Sequence, residues 1–185
     1  MFRPDNDTYF IIIAHAVSAR ATCLRHQVGC VIVDSTNRII STGYNGAPAG
    51  LTHCLDIGCI RDKEKIPSGE KQEYCRGVHA EQNALIQAED RDKLAGATLY
   101  CTHTPCLMCI KMILNAKIKR VVHGGEYPIT DLGWDLIKEA EIEFEEFDEF
   151  DDKLTKEEIN KALAKGKKEA DAFLAHTGNL PGHYK

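Results

Sequence analysis

The chain has 185 residues, 43% of them hydrophobic, so it is long enough to form a domain with a buried core. Its formal net charge of −5 argues against a nucleic-acid partner, because phosphate backbones are bound by basic faces. We expect no transmembrane helix, since no apolar run reaches about 18 residues. The N-terminus lacks the features of a signal peptide, and the eight cysteines suit reduced thiols, so we expect a cytoplasmic protein.

The first part of the chain predicts a helix, a hairpin and a long loop. Hydrophobic periodicity indicates a helix at residues 8–21, and apolar runs at 28–34 and 38–44 indicate two paired strands. Residues 45–77 read as a loop without secondary structure of its own. Loops of this length inside a domain are usually functional or held by cross-links.

The second part alternates helices and strands. The predicted elements are a helix at 78–88, a strand at 97–102, a helix at 105–117, a strand at 120–123, a helix at 134–139, an edge strand at 141–147 and a terminal helix at 155–175. Pro105 suits the first position of its helix, where the missing N–H has no partner to lose. The pattern predicts the α/β class, as a three-layer α/β/α sandwich at 1–150 with a helical extension at 151–185.

Two short motifs, HAE at 79–81 and PCLMC at 105–109, carry the chemistry. His79, Cys106 and Cys109 are three ligands for a tetrahedral zinc, which leaves its fourth position open, as catalytic zinc sites do. Glu81 is placed to transfer protons and is not needed as a ligand. C-x-x-C alone would suit a redox pair or half of a zinc finger, but H-x-E…P-C-x-x-C is the signature of zinc-dependent nucleobase deaminases. Since both predicted helices begin near these ligands, the metal would lie between two helix N-termini, where partial positive charge favours thiolates.

Together with GYNGAPAG at 43–50 and HAEQNA at 79–84, these motifs resemble the deoxycytidylate (dCMP) deaminase family over roughly residues 8–145. The first of these segments discriminates, because the zinc motifs are common to all cytidine-deaminase-like enzymes. The resemblance implies a mixed five-stranded sheet, hydrolysis of dCMP to dUMP, and often a homohexamer regulated by dCTP and dTTP. It places an effector near Tyr44, Asn45 and Gly46.

The residues predict a mechanism in which zinc-activated hydroxide attacks C4 of the cytosine ring and Glu81 carries protons to N3 and to the departing ammonia. The Ala80 backbone N–H, at a helix start, is placed to bind the pyrimidine O2. Resemblance to the family implies that Asn45 hydrogen-bonds the sugar. The alternative for Asn45 is a left-handed turn residue before Gly46.

Five further residues are candidates for substrate contacts. His103 and Thr104 precede the second motif and are predicted to line the pocket. Arg25 and His26 precede the first predicted strand and are candidates for the 5′-phosphate, with a solvated turn as the alternative. Arg91 is a second candidate, displaced from the position at which some family members carry a phosphate-binding arginine.

A second, structural zinc is predicted in addition to the catalytic one. Family members often bind such a zinc with cysteines matching Cys23 and Cys54, and Cys59 and Cys75 would complete four thiolates, with His53 in reserve. The alternatives are unligated reduced thiols and a disulfide between Cys54 and Cys59. Cys30 and Cys101, inside predicted strands, are expected to pack in the core.

Three alternatives to dCMP deamination stay open at this point. The chain could act on dCTP or on a nucleoside, or deaminate adenosine in tRNA, although the acidic run at 148–152 is unlike an RNA-binding face. It could also be a zinc-binding interaction module without activity, but a structural zinc has no need of Glu81.

Overall fold

The computed structural model describes residues 4–125 and 127–147. Within them lie the α-helices α1 (Asn6–Ser18), α2 (Cys54–Ile57), α3 (Ile60–Lys63), α4 (Ala80–Gln87), α5 (Leu107–Asn115) and α6 (Asp131–Glu139). The strands are β1 (Gly29–Val33), β2 (Ile39–Tyr44), β3 (Thr98–Cys101), β4 (Arg120–His123) and β5 (Glu143–Glu146). The predicted terminal helix at 155–175, the extension at 151–185 and the acidic run at 148–152 lie outside the described residues.

The strands form one mixed sheet in the order β2-β1-β3-β4-β5. Strand β1 is antiparallel to β2 and β3, whereas β3, β4 and β5 run parallel. Helices α5 and α6 provide the crossovers that the parallel pairs require. The predicted mixed five-stranded sheet is confirmed, and so is the edge position of the acidic strand β5.

Helices cover both faces of the sheet. Successive residues of β1 alternate between the faces, so Cys30 and Ile32 pack on one side while Val31 and Val33 pack on the other. Helix α1 covers the second side, and α4 and α5 cover the first. This arrangement confirms the predicted α/β/α layers. Cys30 and Cys101 face each other across β1 and β3 and are fully buried, as expected of core thiols.

Two glycines let helices lie directly against the hairpin. A Cβ atom at Gly43 would lie 2.2 Å from the backbone oxygen of Ala80, at the start of α4. A Cβ atom at Gly29 would lie 2.0 Å from the backbone oxygen of Ala14 in α1. Both contacts are too short for any side chain, so Gly43 sets the distance at which the first residues of α4 meet the sheet.

Helix boundaries differ from the predictions where capping groups decide them. Helix α1 begins two residues early because Asp5 Oδ1 accepts a hydrogen bond from the Thr8 N–H at 2.8 Å, and it ends at Ser18. Helix α6 begins at Asp131, three residues early, because the Thr130 hydroxyl accepts from the Gly133 N–H.

Two sequence predictions about local structure are wrong. Pro105 is not the first residue of α5: Cys106, with an extended backbone, is the N-cap, and the helix starts at Leu107. The loop at 45–77 does not lack secondary structure, because it contains α2, α3 and a 3-10 turn at Gln72–Tyr74. These elements are one turn each, too short for hydrophobic periodicity to reveal.

No helix in the described ranges is long and apolar enough to cross a membrane.

Candidate metal centre and active-site cavity

The HAE and PCLMC motifs meet at the N-termini of two adjacent helices. His79 is the N-cap of α4, Cys106 is the N-cap of α5, and Cys109 lies in the first turn of α5. Helices α4 and α5 pack against each other on one face of the sheet. The His79 backbone N–H donates to Gln82 Oε1 at 2.9 Å, which satisfies a free donor at the start of α4.

The three donor atoms have the spacing of a zinc site. His79 Nδ1 lies 3.5 Å from Cys106 Sγ and 3.4 Å from Cys109 Sγ. In a tetrahedral site with ordinary Zn–N and Zn–S bonds, nitrogen and sulfur ligands are about 3.6 Å apart. Among the described residues, this is the one group of three or more such side chains whose donor atoms all lie within 4.8 Å. The donor set and its spacing therefore fit zinc.

The electrostatics of the cluster favour a thiolate. A hydrogen bond from the Cys109 thiol, helped by His79, lowers the pKa of Cys106 to about 4. The same contact raises the pKa of Cys109, so the two thiols titrate as a pair. The hydrogen bond with Cys106 also raises the pKa of His79. A thiolate at Cys106 is the form that binds metal.

Glu81 lies beside the cluster without belonging to it. It is the second residue of α4, and its side chain is buried, with 4% of the residue exposed. Burial raises the pKa of the Glu81 carboxyl, an effect that the nearby His79 opposes. A buried carboxyl with a raised pKa can both accept and release a proton near neutral pH, which suits a general acid–base.

A cavity adjoins the metal cluster and contains most of the predicted substrate residues. It is lined by His79, Ala80, Glu81 and Cys106, by the predicted contacts Arg25, His26, Asn45, Gly46, His103 and Thr104, and by Arg61, Ser68, Gln72 and Tyr127. Tyr44 is not among the lining residues. Arg91 lies on an exposed 3-10 turn, Arg91–Leu94, and does not line the cavity.

Asn45 connects the end of β2 to the segment before β1. Its Oδ1 accepts from the Val28 N–H at 2.9 Å, and its Nδ2 donates to the His26 carbonyl at 2.8 Å. Asn45 does not have a positive φ angle, so the left-handed turn considered for it is wrong. One amide N–H of its side chain remains to serve a ligand in the cavity.

Thr104 organises the loop after β4. Its hydroxyl donates to the Gly125 carbonyl at 2.7 Å and accepts from the Tyr127 N–H at 3.2 Å. Because the hydroxyl proton is already used, His123 Nδ1, 3.2 Å away, must be the donor in their contact. Desolvation lowers the pKa of His123 to about 4, so its ring is neutral. Thr104 lines the cavity as predicted, but its hydroxyl bonds to the protein.

The cysteines predicted to bind a second zinc share the same cavity. Cys23, Cys54, Cys59 and Cys75 all line it, whereas His53 is exposed and does not. The sulfur of Cys23 accepts from the Arg25 N–H and that of Cys75 from the Gly77 N–H, both at 3.4 Å. All four are free thiols, so Cys54 and Cys59 form no disulfide. No three of these sulfurs lie within 4.8 Å of one another.

Several cavity residues were missed from the sequence, among them Tyr127 and Arg61. Tyr127 follows β4, and its hydroxyl accepts from Gln72 Nε2 at 2.9 Å, which links it to the long loop. Arg61 belongs to α3, inside that loop. Neither belongs to a motif, so only the folding of the loop reveals that they reach the site.

Residues 4–125 match the family described as the cytidine and deoxycytidylate deaminase zinc-binding region. The chain belongs to this family. It is 44% identical over 131 residues to a deoxycytidylate deaminase of Mycobacterium phage D29, covering 68% of this chain and 99% of that protein. It is 37% identical over 146 residues to a deoxycytidylate deaminase of Schizosaccharomyces pombe, covering 79% of this chain.

The chain spans less than half the length of the yeast relatives, 45% of the Schizosaccharomyces pombe protein and 46% of one from Saccharomyces cerevisiae. A crystal structure of the dCMP deaminase from cyanophage S-TIM5, in complex with dCMP and dUMP, superposes with a TM-score of 0.61. The match has 31% identity and covers 80% of this chain and all of the phage chain. These comparisons confirm the predicted family and fold.

Proposed function

We propose that this chain hydrolyses dCMP to dUMP and ammonia. The observation that carries the proposal is buried Glu81 beside a three-donor metal cluster at a cavity. A structural zinc site is closed by four ligands and has no use for such a carboxyl, which argues against an inactive zinc-binding module. The relatives named deoxycytidylate deaminase and the phage structure with dCMP support this substrate.

The chain's own residues would divide the work as follows. His79, Cys106 and Cys109 would hold zinc, and a zinc ion bound there would supply the Lewis acidity that activates water. Glu81 would take a proton from water and deliver it to N3 of the ring, which makes C4 electrophilic, and the oxygen of that water would bond to C4. Glu81 would then move the proton of the new C4 hydroxyl group to the amino group, so that the C4–N bond breaks, ammonia leaves and the C4 carbonyl forms. Such proton transfers contribute roughly 10²–10⁴-fold in rate.

Residues around the cavity would orient the substrate. The Ala80 N–H, at the N-terminus of α4, would donate to the pyrimidine O2, and the spare N–H of the Asn45 amide would reach the sugar. His103 would line the pocket near the ring. Arg25 would contribute positive charge towards the 5′-phosphate, although its Nε also lies 3.5 Å from Asp62 Oδ1.

A second, structural zinc bound by Cys23, Cys54, Cys59 and Cys75 is part of the proposal. Backbone N–H donors to the sulfurs of Cys23 and Cys75 support it, because such bonds stabilise thiolates. Burial, and after it the neighbouring Cys23, Cys75 and Cys59, raise the pKa of Cys54, so these three side chains lie near its sulfur. The sulfurs would have to converge further when metal binds.

A homohexamer regulated by dCTP and dTTP is proposed on the family resemblance alone. Asn45 and Gly46, which the sequence analysis assigned to the effector site, line the substrate cavity. An effector bound at these residues would therefore need a separate site, which a neighbouring subunit would have to help form. Hyperbolic kinetics that neither dCTP nor dTTP alters would contradict the regulatory part. The cytoplasmic location stays a prediction.

Ammonia release with four substrates in parallel tests the function: dCMP, dCTP, deoxycytidine and a tRNA anticodon stem-loop. We expect dCMP to have the highest kcat/KM, because unpaired phosphate-binding groups would penalise the nucleoside. Preferential turnover of any other substrate would replace the proposal with the corresponding alternative.

A further inference from the structure

One wall of the cavity is positively charged. Arg25, His26, Arg61 and Ser68 line it, and we call these four residues the cationic wall. Burial, together with the charges of Arg25 and Arg61, lowers the pKa of His26. The two arginines and the imidazole are therefore close enough to affect one another, and His26 tends to stay neutral between the two permanent cations.

The cationic wall is built around one turn of the long loop, residues 66–70. Arg61 Nη2 donates to the carbonyls of Pro67 and Glu70, both at 2.6 Å. Arg25 Nη1 donates to the Ile66 carbonyl at 3.1 Å, and His26 Nε2 is hydrogen-bonded to Ser68 Oγ at 3.3 Å. The arginine heads are thus fixed in place before any ligand arrives, which lowers the entropic cost of binding.

The positive charge of Arg61 has no counterion in the described part of the chain. Arg25 has a carboxylate neighbour in Asp62, but Arg61 makes no ion pair there. The Nε atom of Arg61 is buried and has no hydrogen-bond partner among the described residues. Burying an unpaired donor of a permanently charged group costs free energy, and an anion bound beside Arg61 would offset this cost.

We propose that Arg61, assisted by His26 and Ser68, binds the 5′-phosphate of the nucleotide substrate and so determines the preference for a nucleotide over a nucleoside. The inference rests on the proposed deamination, since it assigns the phosphate to a wall of the same cavity that holds Glu81. A guanidinium forms strong, charge-assisted hydrogen bonds with a phosphomonoester. Both Nη2 protons of Arg61 are already donated to the Pro67 and Glu70 carbonyls, so its Nη1 N–H groups are the donors left for the phosphate. Arg61 takes the role that the sequence suggested for Arg91.

A matched pair of variants tests the assignment. Arg61→Gln removes the charge but keeps a polar side-chain amide that can donate hydrogen bonds. Lys63→Gln removes one positive charge from the same short helix, at an exposed residue that does not line the cavity. The readout is the ratio of kcat/KM for dCMP to that for deoxycytidine. We expect Arg61→Gln to lower this ratio about 10- to 100-fold, as expected for loss of a charged hydrogen bond.

The control should leave the ratio unchanged, and Ser68→Ala should lower it by a smaller factor, about 3- to 10-fold. A proportional loss on both substrates in Arg61→Gln would show that Arg61 only supports the loop, and would overturn the proposal. An unchanged ratio would overturn it as well.

Calorimetric titration with inorganic phosphate separates this inference from the proposed function. If the parent protein turns over neither dCMP nor deoxycytidine, the deaminase proposal fails, but phosphate binding can still be measured. The anion site is supported if the parent and Lys63→Gln bind phosphate and Arg61→Gln binds it at least about tenfold more weakly. Equal affinity in all three proteins, or binding by none, refutes it.

Discussion

The two groups of proposed metal ligands in this protein differ in how close together the fold places their donor atoms. In the group proposed for the catalytic zinc, His79 Nδ1 lies within 3.5 Å of both cysteine sulfurs. In the group of Cys23, Cys54, Cys59 and Cys75, no three sulfurs come within 4.8 Å of one another. The first group lies at the N-terminal ends of α4 and α5, whereas most of the second group lies in the loop at residues 45–77, which contains only one-turn helices.

The difference shows what regular structure contributes to a metal site. Two helices packed on a sheet have their ends fixed by burial along their whole length, so ligands at those ends are positioned without metal. A loop has few such contacts and needs the metal itself to bring its ligands together.

The largest effect is expected from Glu81→Gln, which removes the proton carrier and no metal ligand. Turnover should fall by at least about 100-fold, while zinc content and thermal stability stay near those of the parent. Steady-state ammonia release and metal analysis measure the two properties. Glu73→Gln, at an exposed residue of the 3-10 turn, is the matched control. Near-normal turnover in Glu81→Gln would refute the mechanism.

Removal of ligands from each group should separate the two sites. We expect about two zinc ions per chain in the parent and about one in Cys106→Ala, which should also be inactive. The double variant Cys59→Ala/Cys75→Ala should likewise keep about one zinc, retain measurable activity and lose thermal stability. Metal analysis with hydrogen exchange over residues 54–77 checks this, because exchange there should rise only in the double variant. A single zinc in the parent would exclude the second site.

Gly43→Ala tests whether packing places the catalytic ligands. The added Cβ would lie 2.2 Å from the Ala80 backbone oxygen, so α4 has to shift, at a cost of about 3 kcal/mol in unfolding free energy. Zinc affinity at the catalytic site should fall, since His79 precedes Ala80, while the second site keeps its metal. Ile39→Ala, at an exposed residue of the same strand, serves as the control. Unchanged affinity for the catalytic zinc would show that α4 tolerates displacement.

The smallest effect concerns pH and His123. Its pKa is lowered from an ordinary 6.5 to about 4, so between these values the unfolded chain binds a proton that the folded chain does not. Stability contributed by neutral His123 is therefore fully present above pH 6.5 and is lost as pH falls towards 4. From pH 7 to pH 5 the loss should be about 1–2 kcal/mol.

Urea unfolding of the parent and of His123→Asn across this pH range measures the loss, because asparagine can still donate to Thr104 but does not titrate. The parent should lose more stability than the variant on acidification. Zinc release at low pH affects both proteins and cancels in the difference. Parallel pH profiles would show that His123 does not carry the effect.

Much of the fold was predictable because long, periodic segments carry their own signal. Strand β4 was placed at its observed residues, and the helix–strand alternation was sufficient for the layered α/β class. The clustering of the three proposed catalytic ligands was predictable too, because His79 and Cys109 belong to short motifs with a characteristic spacing. Helix starts at Asn6 and Asp131 were missed because a single side-chain hydrogen bond to the backbone decides each of them.

The sequence by itself determined the family, and it identified the three donor residues proposed for the catalytic metal and the carboxyl proposed to transfer protons. Only the tertiary structure decided which other residues share the cavity. Arg61 and Tyr127 reach it, and Arg91 does not, because contacts between distant segments depend on how a loop of single turns folds back. The residues of a motif are close together in the sequence, so their spacing reveals their chemistry. Side chains that come together from separate loops leave no periodic signal in the sequence.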